Sequence, residues 1–263
     1  MSNRFESAAW HAALSRIIRG ANAAEVAGAL AESMGLVVDH EGTCLLAFHR
    51  DARPEVLHHT LEPAGARHYL DRYLDGPYLL DPLYQLAIQD TKPTLCRFRE
   101  KQPDRFRASE YYRQYCERTH LLDEMDFLTA VTARSTLALV VGRRKRRFSQ
   151  AELRRLEVME PTVLAAMQRV WELREDPKRD AAVDHAFHKR LTRCFANFGK
   201  NILTERERQI SQLLLRGHSS KSIARELSIA PGTVMVHKRN LFAKLGIGSQ
   251  YELFSLLIDE LGR

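Results

Sequence analysis

The 263-residue sequence has only four cysteines, and they are widely spaced. The four thiols lie at positions 44, 96, 116 and 194, and no two of them form a C-x-x-C motif. Such spacing indicates neither a disulfide framework nor a zinc cage. We therefore expect reduced thiols.

Long apolar runs are also missing. No stretch approaches the roughly 20 apolar residues that a membrane-spanning helix needs. The amino-terminal segment "MSNRFESAAW" is polar, unlike a signal peptide. We expect a cytoplasmic protein with no membrane contact.

Common catalytic motifs are absent as well. The sequence contains no G-x-S-x-G, no G-x-x-x-x-G-K-[ST] and no H-E-x-x-H, and the glycines of "LGIGS" suit a helix end better than a dinucleotide. His185 and His188 lie one helical turn apart, but no cysteine or carboxylate set completes a metal site around them. We predict a protein that is not an enzyme and that uses neither a metal nor another cofactor.

Positive charge, in contrast, is in excess. The chain has 40 Lys and Arg against 33 Asp and Glu, which gives a formal net charge of +7 and a pI near 9.4. This balance favours an acidic partner such as nucleic acid or anionic lipid. The length and the 44% hydrophobic content are sufficient for one large domain or two ordinary domains with buried cores.

Residues 1–172 are predicted to form an α+β domain. Two helices open it, the second starting at an Asn22/Glu25 capping box and ending at Gly35. The short apolar runs "TCLLAFHR", "EVLHHTL" and "STLALVVG" are typical of strands. A last helix follows, with a bend at Pro161. We expect helices flanking a small antiparallel sheet.

The rest of the chain has a helical pattern. Residues 173–200 predict a connecting helix that ends at Gly199, and residues 201–263 predict an all-α domain of four short helices. A capping side chain precedes each of the four: Thr204, Ser219, Thr233 and Ser249.

The second and third of these helices are separated only by "SIAPG". A short turn between two amphipathic helices is typical of a helix-turn-helix, whose second helix enters the DNA major groove. Val234 and Leu241 define the buried face of that helix. The side chains left to contact DNA are then Met235, Val236, Lys238 and Arg239.

A family resemblance supports this interpretation. The segment "LTERERQISQLLLRGHSSKSIARELSIAPGTVMVHKRNLFAKLGIGSQYEL" resembles the DNA-binding domain of LuxR-type transcription regulators, including its leading "LT", Gly217, the pair "TV", His237 and "KLG". The resemblance implies double-stranded DNA and RNA polymerase as partners. It implies base contacts from Met235, Val236 and Arg239. The other predicted DNA-binding residues are Thr233, His237, Lys238, Lys244, Ser219, Ser220 and Lys221.

Met235 departs from the family pattern, which commonly has lysine at this position. An apolar side chain there suits a thymine methyl group better than guanine. The operator sequence of relatives therefore does not transfer to this chain.

The last helix, "QYELFSLLIDEL", predicts a homodimer interface. If Leu253, Leu256 and Leu257 face their own domain, an apolar strip remains without an intramolecular partner, and exposed apolar strips mark interfaces. The LuxR resemblance implies pairing through this helix on a roughly two-fold operator. The strip consists of Phe254, Ile258 and Leu261.

A DNA-binding module joined to an α+β domain suggests signal input. We favour a GAF- or PAS-like sensor of a small-molecule effector, because residues 104–128 resemble such domains. A phosphoreceiver domain would need alternating strands and helices, which the pattern lacks. An enzyme domain fused to the DNA-binding module is an alternative of another class.

An acyl-homoserine-lactone receptor is the second alternative. The segment "HYLDRYLDGPYLLDPLY" places Tyr69, Tyr73 and Asp81 in an order that resembles the autoinducer site of that family. That site uses tryptophans, however, and the only tryptophans here are Trp10 and Trp171. We predict that Tyr69, Tyr73 and Asp81 contribute to an effector pocket, and that the "RRKRR" run at 143–147 is an exposed loop.

Overall fold

The structure, a computed structural model, describes residues 4–62, 67–89, 92–175 and 181–261. It has an amino-terminal α+β domain with a five-stranded antiparallel sheet and a carboxy-terminal helical domain. None of the described helices combines the length and the apolar character that a bilayer crossing requires.

Two capped helices open the chain, α1 (Ala8–Arg19) and α2 (Ala23–Val37). Asn22 accepts a hydrogen bond from the Glu25 N–H at 3.0 Å, so α2 begins where the sequence predicts. The expected end at Gly35 is wrong by two residues. The helical hydrogen bonds continue to the Val38 N–H because nothing in the local chain forces glycine into a left-handed conformation at position 35.

Five strands form the sheet: β1 (Gly42–His49), β2 (Glu55–His59), β3 (Thr94–Arg97), β4 (Asp123–Thr132) and β5 (Ser135–Arg143). Their order in the sheet is β2-β1-β5-β4-β3. The three apolar runs identified in the sequence are β1, β2 and β5, whereas β3 and β4 had not been predicted. In β4, Met125 and Phe127 alternate with Glu124 and Asp126, which is the period of a strand, and the centre of this strand is buried on both faces.

The two faces of the sheet pack against different structures. One face is covered by α1, α2 and the long helix α4 (Gln150–Leu173), and its core includes Phe127 and Leu139. The other face, with Leu46 and Leu128, packs against the turns that precede and follow the short helix α3 (Pro82–Ala87). Helix α4 continues through Pro161 without interruption.

The basic run at 143–147 is only partly an exposed loop, and this corrects the expectation. Arg143 belongs to β5 and is 1% exposed. Its guanidinium donates to both carboxylate oxygens of Glu152, at 2.9 and 3.1 Å. The backbone pairing of β5 carries Arg143 into the interior, where a buried carboxylate compensates its charge.

Five helices form the carboxy-terminal region: α5 (Ala181–Asn197), α6 (Glu205–Leu215), α7 (Ser220–Glu226), α8 (Pro231–Leu245) and α9 (Gln250–Leu261). Thr204, Ser219 and Ser249 accept backbone N–H groups as predicted caps. Thr233 does not. Helix α8 starts earlier, at Pro231, because proline is preorganised for the first position of a helix and needs no N–H there.

The predicted dimer strip on α9 also needs correction. Phe254 is 2% exposed and belongs to the core of the helical region, whereas Leu256, which was expected to face inward, is 37% exposed. Ile258 is partly buried against the same core, and the side chain of Leu261 lies outside the described residues. Helix α9 packs on both α5 and α6, and Phe254 belongs to the buried core that these helices share.

Candidate effector cavity and nucleic-acid surface

A cavity of about 310 Å³ lies on the face of the sheet opposite α1, α2 and α4. Its floor comes from β1, β4 and β5, with Cys44, Leu46 and Val140 supplying apolar surface. The size and the mixture of apolar and polar lining fit a small-molecule site. Its polar and aromatic walls include Tyr69, Tyr73, Asp81, Tyr115, Thr119 and Glu124.

The three residues predicted for an effector pocket all line this cavity. The Tyr73 hydroxyl donates to Asp81 Oδ2 at 2.7 Å, and the rings of Tyr69 and Tyr73 stack with their centroids 6.1 Å apart. Asp81 also accepts the Leu83 N–H at 2.9 Å and so caps α3. Asp81 therefore has a structural role as a cap and a position in the cavity wall.

The environment of Asp81 opposes its ionisation. Burial raises the pKa of Asp81 to about 6, although its hydrogen bonds from Tyr73 and Leu83 act in the opposite direction. The carboxyl is therefore poised to change protonation near neutral pH.

Two further carboxyls on β4 were missed by the sequence analysis. Glu124 lines the cavity, and Asp126 lies two residues further along the same face of the strand. Asp126 is 0% exposed, and its carboxyl shares a side-chain hydrogen bond with the carboxyl of Glu124. Burial raises the pKa of both carboxyls, and the charge of Asp81 raises them further. The alternation of acidic and apolar residues in "DEMDFL" was the sequence pattern that could have identified this strand and its two carboxyls.

A chain of contacts leads from the cavity to α5. The rings of Tyr73 and Tyr78 lie 6.2 Å apart, and the Tyr78 hydroxyl is 2.8 Å from Nδ1 of His188. The other ring nitrogen of His188 lies 3.1 Å from the Thr192 hydroxyl. His188 thus connects the sensor domain to α5. Separately, no group of three metal-ligating side chains occurs within the described ranges.

The carboxy-terminal region exposes a candidate nucleic-acid surface on α8. Val234 and Leu241 are buried, as predicted from the apolar stripe. Met235 and Val236 are 64% and 47% exposed, and Arg239 is exposed beside them. The structure therefore places the three expected base-reading side chains on one accessible side of α8.

The residues expected to contact phosphate differ from one another in exposure and in the groups they contact. Thr233 is exposed, and His237 is half-buried. The Lys238 ammonium lies 5.3 Å from the centre of the Phe242 ring. Lys244 pairs with the buried Glu207 at 2.7 Å, so its charge is partly compensated within the domain.

The amino-terminal domain contacts the start of α7. The Asp104 carboxylate accepts the Ser219 backbone N–H at 2.9 Å and the Ser219 hydroxyl proton. The neighbouring Arg105 N–H donates to the Gly217 carbonyl at 3.0 Å. Gly217 has φ +91°, and a side chain there would bring Cβ to 2.8 Å from Cα of Phe106, so only glycine permits this approach.

The carboxy-terminal helical region matches a known family of regulatory proteins. Residues 201–257 match the family described as "Bacterial regulatory proteins, luxR family". An HTH-type transcriptional regulator in the exeN 3′ region of Aeromonas salmonicida is 34% identical over 157 residues, which cover 58% of this chain and 80% of the relative. The transcriptional regulatory protein UhpA of Escherichia coli (strain K12) is 46% identical over 57 residues, 22% of this chain and 29% of UhpA.

Among solved structures, the VqsR LBD domain from Pseudomonas aeruginosa superposes with a TM-score of 0.57. The sequences are 24% identical, and the match covers 64% of this chain and 100% of the VqsR chain. This similarity concerns the fold of the larger, amino-terminal part.

Proposed function

We propose that this chain, which belongs to the LuxR family of bacterial regulatory proteins, binds a small-molecule effector in its amino-terminal cavity and thereby controls its own DNA binding. As a LuxR-type transcription regulator it binds DNA through its helix-turn-helix, α7 and α8. The observation that carries the effector proposal is the cavity of about 310 Å³ lined by Tyr69, Tyr73 and Asp81.

The contact network supplies a route between the two events. A ligand that displaces Tyr73 or Asp81 changes the packing on Tyr78, which contacts His188 on α5. Contiguous packing of this kind transmits a signal only if it has two arrangements that the ligand and the DNA favour differently. We propose that the docked arrangement described here is the one that binds DNA poorly.

The Asp104–Ser219 contact supports that assignment. Ser219, Ser220 and Lys221 are predicted to face the DNA backbone, and a carboxylate beside Ser219 repels phosphate and occupies its N–H and hydroxyl. Release of the loop around Asp104 would free these donors.

Replacement of Asp104 by alanine is accordingly expected to strengthen DNA binding of the effector-free protein about tenfold, or ~1.4 kcal/mol, because a charge-assisted contact that competes with DNA is removed. Fluorescence anisotropy with an operator fragment measures the change. Glu32→Ala, which removes an exposed carboxylate on α2, is the matched control for net charge. Equal affinities of the Asp104 and Glu32 variants would contradict the docked, weakly binding state.

The effector proposal itself is tested by the response of DNA binding to metabolites. Binding of a promoter fragment is measured with and without a small-molecule extract of cells, for the wild-type protein and for Tyr69→Ala, Tyr73→Ala and Asp81→Ala. We expect the wild-type affinity to change and each variant to lose most of the response. Ile18→Ala, at an exposed position on α1, should respond like wild type. A response that survives in all three cavity variants would place the effector elsewhere.

Several finer assignments accompany this proposal. We propose that the sensor is a GAF- or PAS-like domain, because its sheet has helices on one face and a cavity on the other. We also propose that it performs no catalysis and that the protein acts in the cytoplasm. Neither tryptophan lines the cavity within the described part of the chain, which disfavours an acyl-homoserine lactone as effector.

Two protein partners also belong to the proposal, namely RNA polymerase and a second copy of this chain on a two-fold operator. Phe254 is buried and offers no exposed surface for pairing, whereas the exposed apolar side chains among the described part of α9 include Tyr251 and Leu256. Sedimentation of the protein with and without operator DNA tests the pairing, and a single copy bound to a full operator would contradict it.

A further inference from the structure

We propose that the effector is an organic ammonium ion, whose charged nitrogen is held between the carboxylates of Asp81 and Glu124 and the rings of Tyr69 and Tyr73. This inference rests on the proposed effector function of the cavity and names the chemical class of the ligand.

Carboxyls are concentrated at one end of the cavity. Asp81 and Glu124 line it, and Asp126 leaves β4 on the same face of the sheet as Glu124. Asp126 is fully buried behind the cavity wall, no N–H group or hydroxyl of the described residues donates to it, and its carboxyl is paired with that of Glu124. Three buried carboxyls this close together cannot all ionise without a compensating positive charge, so a cation that binds between Asp81 and Glu124 is favoured in the bound state.

No basic side chain of the described ranges fulfils that role. Two arginines, Arg72 and Arg144, reach the rim of the cavity, but both are exposed. The guanidinium of Arg72 lies 5.6 Å from the centre of the Tyr115 ring. Within the described residues, neither arginine forms an ion pair with Asp81, Glu124 or Asp126. Burial of the three carboxyls raises the pKa of each, and no arginine or lysine offsets this rise.

Two aromatic rings lie beside these carboxyls. Tyr69 and Tyr73 line the cavity together with Asp81 and Glu124, and the Tyr73 hydroxyl donates to Asp81. The face of a tyrosine ring attracts a cation, and a cage of such rings is a recognised way to bind ammonium groups. Carboxylates combined with ring faces select a cation over a neutral or anionic ligand of the same shape, because an anion would meet like charges in a low-dielectric site.

The remaining lining suits the rest of such a ligand. Cys44, Leu46, Leu83 and Val140 supply an apolar floor, and a volume of about 310 Å³ accepts a short alkyl or aryl group attached to the nitrogen. The expected ligand therefore has one positive end and one apolar end.

The first test uses matched probes on the full-length protein. The probes are 2-phenylethylammonium and hexylammonium, their neutral counterparts 2-phenylethanol and hexan-1-ol, and the anion hexanoate. We expect the ammonium probes to raise the melting temperature and to bind at least tenfold more tightly than the alcohols in calorimetry, with no binding of hexanoate. Equal or tighter binding of the alcohols or of hexanoate would overturn the proposal.

Conservative variants separate recognition from folding. Glu124→Gln and Asp81→Asn keep the shape of each side chain and should weaken ammonium binding at least tenfold while leaving the unliganded melting temperature unchanged or higher. Glu32→Gln, an exposed position on α2, is the control and should bind like wild type. If both cavity variants bind the ammonium probes like wild type, the carboxylates do not recognise the cation.

A second measurement distinguishes failure of this inference from failure of the effector proposal. A small-molecule cell extract is separated on a cation-exchange resin, and each fraction is tested for its effect on promoter binding. Activity in the retained fraction supports an ammonium effector. Activity only in the unretained fraction overturns the ammonium class but keeps a small-molecule effector. Activity in no fraction, together with no binding of any probe, overturns both.

Discussion

Replacing Arg239 with alanine is expected to weaken binding to the preferred operator by about 1–3 kcal/mol, because a bidentate contact to guanine is lost. Arg239 lies on the accessible side of α8, next to Met235 and Val236 and opposite the buried Val234 and Leu241. An exposed side chain contributes little to the fold, so the variant should keep its melting temperature. The loss should be concentrated at one base position of the operator.

Two other substitutions on α8 serve as controls for this interpretation. Lys238→Ala should weaken binding to all sequences alike and reduce the salt slope by about one, as expected for a phosphate contact. Met235→Lys should shift preference away from a thymine-bearing site, because a charged amine replaces an apolar contact. Competitive binding to a randomised operator library at two salt concentrations measures all three. If Arg239→Ala and Met235→Lys both leave the ranking of sequences intact, α8 is not the reading element.

Replacing Phe254 with lysine is expected to destabilise the helical region by at least about 3–5 kcal/mol. That range applies to truncation of a buried aromatic ring, and burial of an unpaired ammonium adds to it. Phe254 is 2% exposed and packs in the core that α9 shares with α5 and α6. Loss of this packing should also abolish DNA binding, since the core that supports α8 includes Phe254.

Urea unfolding of the full-length protein, monitored by circular dichroism, measures this effect. Leu256→Lys, on the same helix but 37% exposed, is the matched control and should cost less than about 1 kcal/mol. A Phe254→Lys variant that unfolds like wild type but no longer pairs on DNA would instead restore Phe254 as an interface residue.

Most of the helices of the DNA-binding region and their buried faces could be predicted from the sequence. Helices are specified by contacts three and four residues apart and by caps within one turn, so Ile210, Val234 and Leu241 identify the buried faces without knowledge of distant residues. The helix start expected at Thr233 was wrong, because α8 begins earlier, at Pro231. Pro231 prevailed because a proline at the first helical position requires no capping side chain in this case.

The amino-terminal domain was less accessible to such reasoning. Apolar runs identified β1, β2 and β5, but β4 mixes acidic and apolar residues and was not recognised as a strand. Its residues alternate with a period of two, but a pattern of only six residues does not by itself distinguish a strand from a segment of helix. With β4 missing, Glu124 and Asp126 had no place in the predicted pocket.

By itself, the sequence determined the helix-turn-helix, the accessible side of α8 and the likeness of Tyr69, Tyr73 and Asp81 to a ligand site. Only the tertiary structure decided that Asp81 and Glu124 share one cavity, that Asp104 reaches Ser219, and that Phe254 is buried in the core shared with α5 and α6. These contacts join residues 43 to 115 positions apart, and their pairing depends on the register of the sheet and the docking of the two regions. Local periodicity carries information over one or two turns of helix, whereas long-range contacts depend on how the whole chain packs.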